Sequence, residues 1–220
     1  MSAFNIGFVI FPQLTQLDFT GPLQVLARLP DAATHIIAKS TDPVPSDCGL
    51  GLVPTCTFQS CPTLYLICVP GGSLGVADVL RDRETIEFVR RQASGAKYVT
   101  SVCTGAFVLG AAGLLRGRRA TTHWAFTDLL PLVGATYERS RVVKDGNVIT
   151  AVSSLGAMSR RDAFFIRFQT KPDCCRKVTQ SSDIFSRSGL IDSSYMLGCE
   201  QYPSTPCEKL LRNVGSGGPN

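Results

Sequence analysis

The sequence predicts an α/β fold in which a mostly parallel sheet is covered by helices on both faces. Short continuous runs of apolar residues recur along the first 150 residues, as expected for strands buried on both faces of a parallel sheet. Segments of helical pattern alternate with these runs, and the links between them are short, which is typical of strand–helix–strand units. A chain of 220 residues is long enough to bury a substantial core in one such domain.

Each predicted element follows from a local pattern. Apolar and β-branched runs predict strands at Asn5 to Phe11, His35 to Ala38, Leu64 to Val69 and Tyr98 to Val102. Start and stop signals, such as Pro22 at a first helical position and Asp82 as a cap, predict helices at Leu23 to Leu29, Asp82 to Ser94, the stretch after Cys103, and Trp124 to Leu130. The Asp145-Gly146 pair predicts a hairpin within Arg141 to Thr150, and Gly49 to Pro54 predicts a small β-ribbon.

Composition and charge exclude several classes of function. The net charge of +5 is mild and no compact basic patch occurs, so no nucleic-acid partner is expected. No apolar run reaches transmembrane length, and the first residues resemble a strand rather than a signal peptide, so we expect no membrane partner and a cytoplasmic location. The nine cysteines lack zinc-type pairs, which favours reduced thiols and no metal. Four of them are expected to be inert and buried: Cys48, Cys56, Cys61 and Cys68.

The stretch from Tyr98 to Leu115 carries the strongest chemical signal. A β-branched strand runs into Cys103, which is followed by Thr104-Gly105 and a helix rich in small residues. A cysteine at such a turn lies beside the unpaired N–H groups and the positive dipole end of the helix. Both effects favour the thiolate, so we expect Cys103 to ionise readily and to act as a nucleophile.

Two other strand ends point to the same edge of the sheet. Asp18 is expected in the loop after the first strand, where active-site groups of open sheets collect, although it could equally cap a helix. Gly71-Gly72 follows the third strand and allows a tight turn with exposed N–H groups, or is only a turn. His123 offers a Cys–His dyad as an alternative, and it also suits a helix start.

Several segments of the first 150 residues resemble a known family. They are IGFVIFPQLTQLDFTGPLQVLARLP near the start, ICVPGG at Ile67 to Gly72, YVTSVCTGAFVLGAAGLLRGRRATTHW at Tyr98 to Trp124, and RVVKDGNVIT at Arg141 to Thr150. In this order they resemble the isonitrile (isocyanide) hydratases, within the PfpI-like superfamily related to class I glutamine amidotransferases.

The resemblance implies a flavodoxin-like sheet with a nucleophile elbow, a homodimer, and a lyase that needs no cofactor and hydrates a small-molecule isonitrile to an N-substituted formamide. It places the catalytic cysteine at Cys103 and the catalytic acid at Asp18. Thr104 is the hydratase residue at a position where related proteases and glyoxalases often carry histidine. The Gly71 and Gly72 amides are implied as donors to developing negative charge, together with the Thr104 amide.

Other functions stay open on the same residues. A glyoxalase, deglycase or amidase would use the same elbow, and an exposed acidic cysteine also suits a redox sensor. A ligand sensor is a further possibility, because similar domains are fused to AraC-type regulators, although no helix-turn-helix pair follows residue 150.

The resemblance covers residues 1–150 and stops abruptly. Residues 151–220 are rich in serine and cysteine and end in a Gly/Pro/Asn stretch, where the family has a glycine-rich turn and a long helix. We therefore expect two segments, an α/β domain at 1–150 and a divergent tail at 151–220 that is poorly ordered and derives from a shifted reading frame or a misassigned splice junction. An inactive remnant is the corresponding functional alternative.

Overall fold

The computed structural model of the chain describes residues 4–153. Its strands are β1 (Phe4–Val9), β2 (Ala32–Ala38), β3 (Val44–Pro45), β4 (Gly51–Leu52), β5 (Cys56–Thr57), β6 (Leu66–Val69), β7 (Tyr98–Val102), β8 (Arg119–Ala120), β9 (Thr136–Tyr137), β10 (Val142–Asp145) and β11 (Val148–Ala151). Its helices are α1 (Gln16–Leu26), α2 (Ser73–Val79), α3 (Arg83–Gly95), α4 (Gly105–Ala111) and a 3-10 helix, η1 (Trp124–Val133).

The main sheet confirms the predicted α/β fold. Within the described residues it has seven strands in the order β10-β11-β7-β6-β1-β2-β5. Every neighbouring pair is parallel except β10 with β11, which form the predicted hairpin around Asp145-Gly146. All four residues of β6 are buried, as expected for a strand covered on both faces.

The order of the strands sets the position of the candidate site. β1, β6 and β7 are adjacent and parallel, so their carboxyl ends meet at one edge of the sheet. The segments that follow them bring Asp18, Gly71-Gly72 and Cys103 to that edge, where active-site groups of open α/β sheets collect.

Helix α1 differs from the prediction. We expected a helix from Leu23 to Leu29 with Asp18 in the preceding loop, whereas α1 begins at Gln16 and contains Pro22 in its interior. Proline removes one helical hydrogen bond, but Phe19 and Leu26 are 2% and 0% exposed, and this burial stabilises a helix that continues through the proline. Asp18 therefore lies in the first turn of a packed helix.

Two other helices depart from expectation. The chain after Gly72 forms α2, which the sequence pattern did not predict, and the predicted helix at Trp124 to Leu130 is a 3-10 helix that continues to Val133. Asp82 does precede α3, but its side chain accepts from the Thr85 hydroxyl and pairs with Lys39 at 2.7 Å.

The predicted tail lies almost wholly outside the described residues, since residues 154–220 are not among them. Among residues 4–153, none of the helices has the length and apolar character needed to span a bilayer.

Candidate active site

Cys103 occupies the sharp turn between β7 and α4. Its φ of 55° lies in the left-handed region, which costs a non-glycine residue roughly 1–3 kcal/mol and is concentrated at functional sites. Two hydrogen bonds hold the turn: the Cys103 N–H donates to the Ala151 carbonyl at 2.8 Å, and the Thr122 hydroxyl donates to the Cys103 carbonyl at 2.9 Å. The backbone at Cys103 is thus fixed from two neighbouring segments.

Gly105 allows this turn to pack tightly. A Cβ at Gly105 would lie 2.6 Å from the Pro70 carbonyl oxygen, so only glycine lets the start of α4 approach the end of β6 so closely. This contact sets the distance between the Cys103 turn and the Gly71-Gly72 loop.

Asp18 lies against Cys103 in the interior. Asp18 is only 3% exposed, and its carboxyl shares a hydrogen bond with the Cys103 thiol. The position of a Cβ built on Gly71 lies 2.6 Å from Cys103 Cβ, 2.8 Å from Asp18 Oδ2 and 3.0 Å from the Thr104 nitrogen. Three groups of the candidate site therefore converge on one small space that a glycine leaves open.

A hydrogen bond between neighbouring loops fixes the Thr104 side chain. The Gly72 N–H donates to Thr104 Oγ1 at 3.0 Å, and Thr104 is 4% exposed. The Thr104 backbone N–H and its hydroxyl both hydrogen-bond to the Cys103 sulfur. The Gly72 amide is therefore already engaged, so its geometry does not match the expected role of a donor to substrate; instead it orients the Thr104 hydroxyl toward sulfur.

The Gly71-Gly72 loop is also tied to the start of α1. The Thr15 N–H donates to the Gly71 carbonyl at 2.9 Å, and Gly72 adopts φ 151°. A Cβ at Gly72 would meet the Gln13 carbonyl oxygen at 2.6 Å. The loop that contacts Thr104 is thereby anchored to the helix that carries Asp18.

The expected ease of ionisation at Cys103 is wrong for the folded chain. Burial, as the largest cause, together with the Asp18 charge and its hydrogen bond raises the pKa of Cys103 to about 12, although the Thr104 amide and hydroxyl lower it. Helix α4 has seven residues, and its favourable dipole end is outweighed by this burial and by the adjacent carboxylate. Ionising both groups would put two negative charges in one buried site, so the Asp18 charge opposes ionisation of Cys103.

His123 lies at the start of η1. Its Nδ1 accepts from the Ala125 N–H at 3.3 Å, and its ring lies 5.3 Å from Trp124 and 5.8 Å from Phe126. These contacts are those of a helix-start residue, which was one of the two readings left open by the sequence.

Sequence reasoning missed the residues that support the Cys103 backbone. No role was predicted for Thr122, and Ala151 was assigned to the divergent tail at 151–220. The parallel pairing of β7 with β11 is the signal that could have identified Ala151. The last residue of one strand lies beside the turn that follows its parallel neighbour. Among residues 4–153, no group of three or more His, Cys, Asp or Glu side chains could hold a metal ion.

Comparisons with known proteins agree with this fold. The model of the DJ-1/PfpI family matches residues 5–159. Isonitrile hydratase from Pseudomonas putida is 58% identical over 148 residues, which are 67% of this chain and 64% of that protein; the chain thus spans less than two thirds of that relative.

Two further relatives extend the comparison. The crystal structure of a THiJ/PfpI family protein from Pseudomonas syringae superposes with a TM-score of 0.78 at 37% identity, covering 83% of this chain and 76% of the other. The HTH-type transcriptional regulator GbdR of Pseudomonas aeruginosa is 27% identical over 126 residues, which are 54% of this chain and 34% of the regulator.

Proposed function

Because the chain belongs to the DJ-1/PfpI family, we propose that it is a lyase that adds water to an isonitrile and releases an N-substituted formamide. The observation that carries this proposal is the 58% identity with isonitrile hydratase. The arrangement of a strained cysteine with a carboxyl and a threonine against its sulfur supports it chemically.

In the proposed reaction Cys103 is the nucleophile. Its sulfur attacks the terminal carbon of the isonitrile while that carbon receives the proton held by the Cys103–Asp18 pair, and the product is a thioimidate. Water then adds to the thioimidate carbon and one of its protons passes to the nitrogen; expulsion of the Cys103 sulfur with loss of the hydroxyl proton leaves the formamide. The sulfur regains a proton, so the enzyme ends the cycle as it began.

Asp18 is the proposed acid and base of both steps. Its buried carboxyl is in hydrogen-bond contact with the sulfur, so it can deliver the proton to the substrate carbon and later accept one from water. Because the pKa of Cys103 is raised to about 12, the thiol keeps its proton at neutral pH. Cys103 therefore needs no low intrinsic pKa, because the proton moves to the substrate as the bond to sulfur forms.

Thr104 and the glycine loop are the proposed positioning elements. The Thr104 N–H and hydroxyl stabilise charge on the sulfur, and the Gly71 amide is the remaining candidate donor to charge that develops on the nitrogen when water adds to the thioimidate. Gly72 contributes indirectly through its hydrogen bond to Thr104. The homodimer and the cytoplasmic location stay predictions.

The test is an assay of purified chain with an alkyl and an aryl isonitrile, in which the formamide is measured by chromatography. We expect turnover by the wild type and by Cys48→Ser, a matched control at an exposed cysteine, and none by Cys103→Ala. Formamide production by Cys103→Ala would refute the nucleophile assignment.

Methylglyoxal in parallel reactions separates the competing enzyme class. Turnover of methylglyoxal without turnover of isonitrile would replace the proposal with a glyoxalase. Failure of both substrates with a folded chain would favour a ligand sensor, for which the similarity to the GbdR regulator is the supporting observation.

A further inference from the structure

Cys56 and Cys61 flank a short turn at the edge of the main sheet. Cys56 begins β5, the outermost strand, and pairs with Ile37 of β2. The Thr57 N–H donates to Ser60 Oγ at 2.9 Å, and the Ser60 N–H donates to Thr57 Oγ1 at 3.3 Å. Because these reciprocal bonds close the turn, the two cysteines on either side of it are brought together.

The two thiols are in contact and are not equivalent. Their side-chain interaction lowers the pKa of Cys56 and raises that of Cys61, while the Cys61 S–H donates to the Pro62 carbonyl at 3.3 Å. Burial is the largest influence on both and raises their pKa values, to about 12 for Cys61. The first thiolate of the pair therefore forms at Cys56, and it forms more readily as the pH rises.

The pair is reachable from solvent, which corrects the expectation that these cysteines are simply buried. Both are partly exposed, whereas Cys68 is fully buried and Cys48 is exposed. Cys61 opens onto a cleft of about 660 Å³ that Arg91 and Gln92 also line. The positive charge of Arg91 favours an anionic reagent in this cleft.

We propose that Cys56 and Cys61 are a dithiol that a low-molecular-weight disulfide of the oxidised glutathione class converts into an intrachain disulfide. The Cys56 thiolate attacks one sulfur of the oxidant and releases the first thiolate, which leaves a mixed disulfide at Cys56. Cys61 then loses its proton to water, attacks the Cys56 sulfur and releases the second thiolate. Two protein thiols are oxidised to one disulfide, and the oxidant is reduced to two thiols.

This site is distinct from the candidate active site. Strands β6, β1 and β2 lie between β7, which precedes Cys103, and β5, which carries Cys56. The proposal therefore does not depend on the proposed hydratase function, and Cys103→Ala is expected to form the same cross-link.

The test uses the full chain, reduced and then incubated with oxidised glutathione. After the free thiols are blocked with iodoacetamide, chymotrypsin cleaves after Phe58, between the two cysteines. We expect two peptides joined through Cys56 and Cys61 that separate on reduction. Absence of this linkage in the oxidised wild type, or linkage of either cysteine to Cys48 instead, would overturn the proposal.

Single serine variants test the order of attack. Cys61→Ser is expected to accumulate the glutathione mixed disulfide at Cys56, because the second thiol is absent. In Cys56→Ser, oxidised glutathione is expected to modify Cys61 at least several-fold more slowly than it modifies Cys56 in Cys61→Ser, since the Cys61 thiol is the harder to ionise. Equal rates in the two variants would contradict the assignment of Cys56 as the attacking thiol, and loss of the cross-link in the Cys48→Ser control would contradict the pairing itself.

Discussion

Replacing Gly71 with alanine tests the geometry of the candidate site directly. The new methyl group would lie 2.6 Å from Cys103 Cβ and 2.8 Å from Asp18 Oδ2. Ordinary contacts between carbon atoms are about 3.5–4.0 Å, so the neighbours must move by roughly 1 Å. The methyl group would also be 3.0 Å from the Thr104 nitrogen, so it meets the site from three sides.

None of these neighbours can move freely. The Cys103 backbone is held by Ala151 and Thr122, and Asp18 belongs to the first turn of α1. Overpacking of this kind costs about 1–3 kcal/mol of the free energy of unfolding. A displacement of about 1 Å at reacting groups can cost on the order of 100-fold in rate, so we expect the catalytic loss to exceed the loss of stability.

The assays are formamide production with an isonitrile and thermal unfolding of the same preparation. Gly51→Ala is the matched control, because the nearest atom to its new Cβ is 3.9 Å away, and it should behave as the wild type in both. A Gly71→Ala variant with wild-type kcat/KM and wild-type Tm would show that the groups around Cys103 are not packed as described.

Three further variants test individual groups. Asp18→Asn removes the charge and the carboxyl hydrogen bond that raise the Cys103 pKa, so the pH profile of Cys103 alkylation should move down by about 1–3 pH units while turnover is lost; an upward shift would contradict this. The Thr104 hydroxyl accepts from the Gly72 N–H and lowers the pKa of Cys103. Thr104→Val removes this hydroxyl, so alkylation of Cys103 should need a higher pH, whereas Thr104→Ser should keep the wild-type profile. His123→Asn keeps a side-chain acceptor at the start of η1 and should retain kcat/KM within about twofold; an inactive but folded variant would revive the Cys–His dyad.

The sequence was sufficient for elements whose signals are local. The β-branched residues of Tyr98–Val102 and the small residues after Cys103 predict a strand that turns into a helix, and the structure has this turn. Asp145-Gly146 likewise predicts its hairpin, because glycine at a positive φ suits the turn. The α/β class follows from the alternation of such segments.

Features that depend on distant contacts were not predictable. Helix α1 passes through Pro22 because its neighbours are buried in the core, and burial is absent from a propensity pattern. The Gly72 amide is engaged because Thr104 lies beside it, although the two are far apart in the chain. The raised pKa of Cys103 has the same origin, since neither its burial nor its contact with Asp18 can be read from the residues around it.

The hydrogen bond from Cys103 to Ala151 has a consequence for the order of assembly during synthesis. Asp18 leaves the ribosome early and Cys103 leaves it later. The Ala151 carbonyl, which holds the Cys103 turn, emerges only with the end of β11. Contacts of such large sequence separation form late, after the loops between them have closed. A nascent chain stalled before Val148 would therefore present Cys103 as an ordinary exposed thiol, and the strained turn would arise only when β11 inserts between β7 and β10.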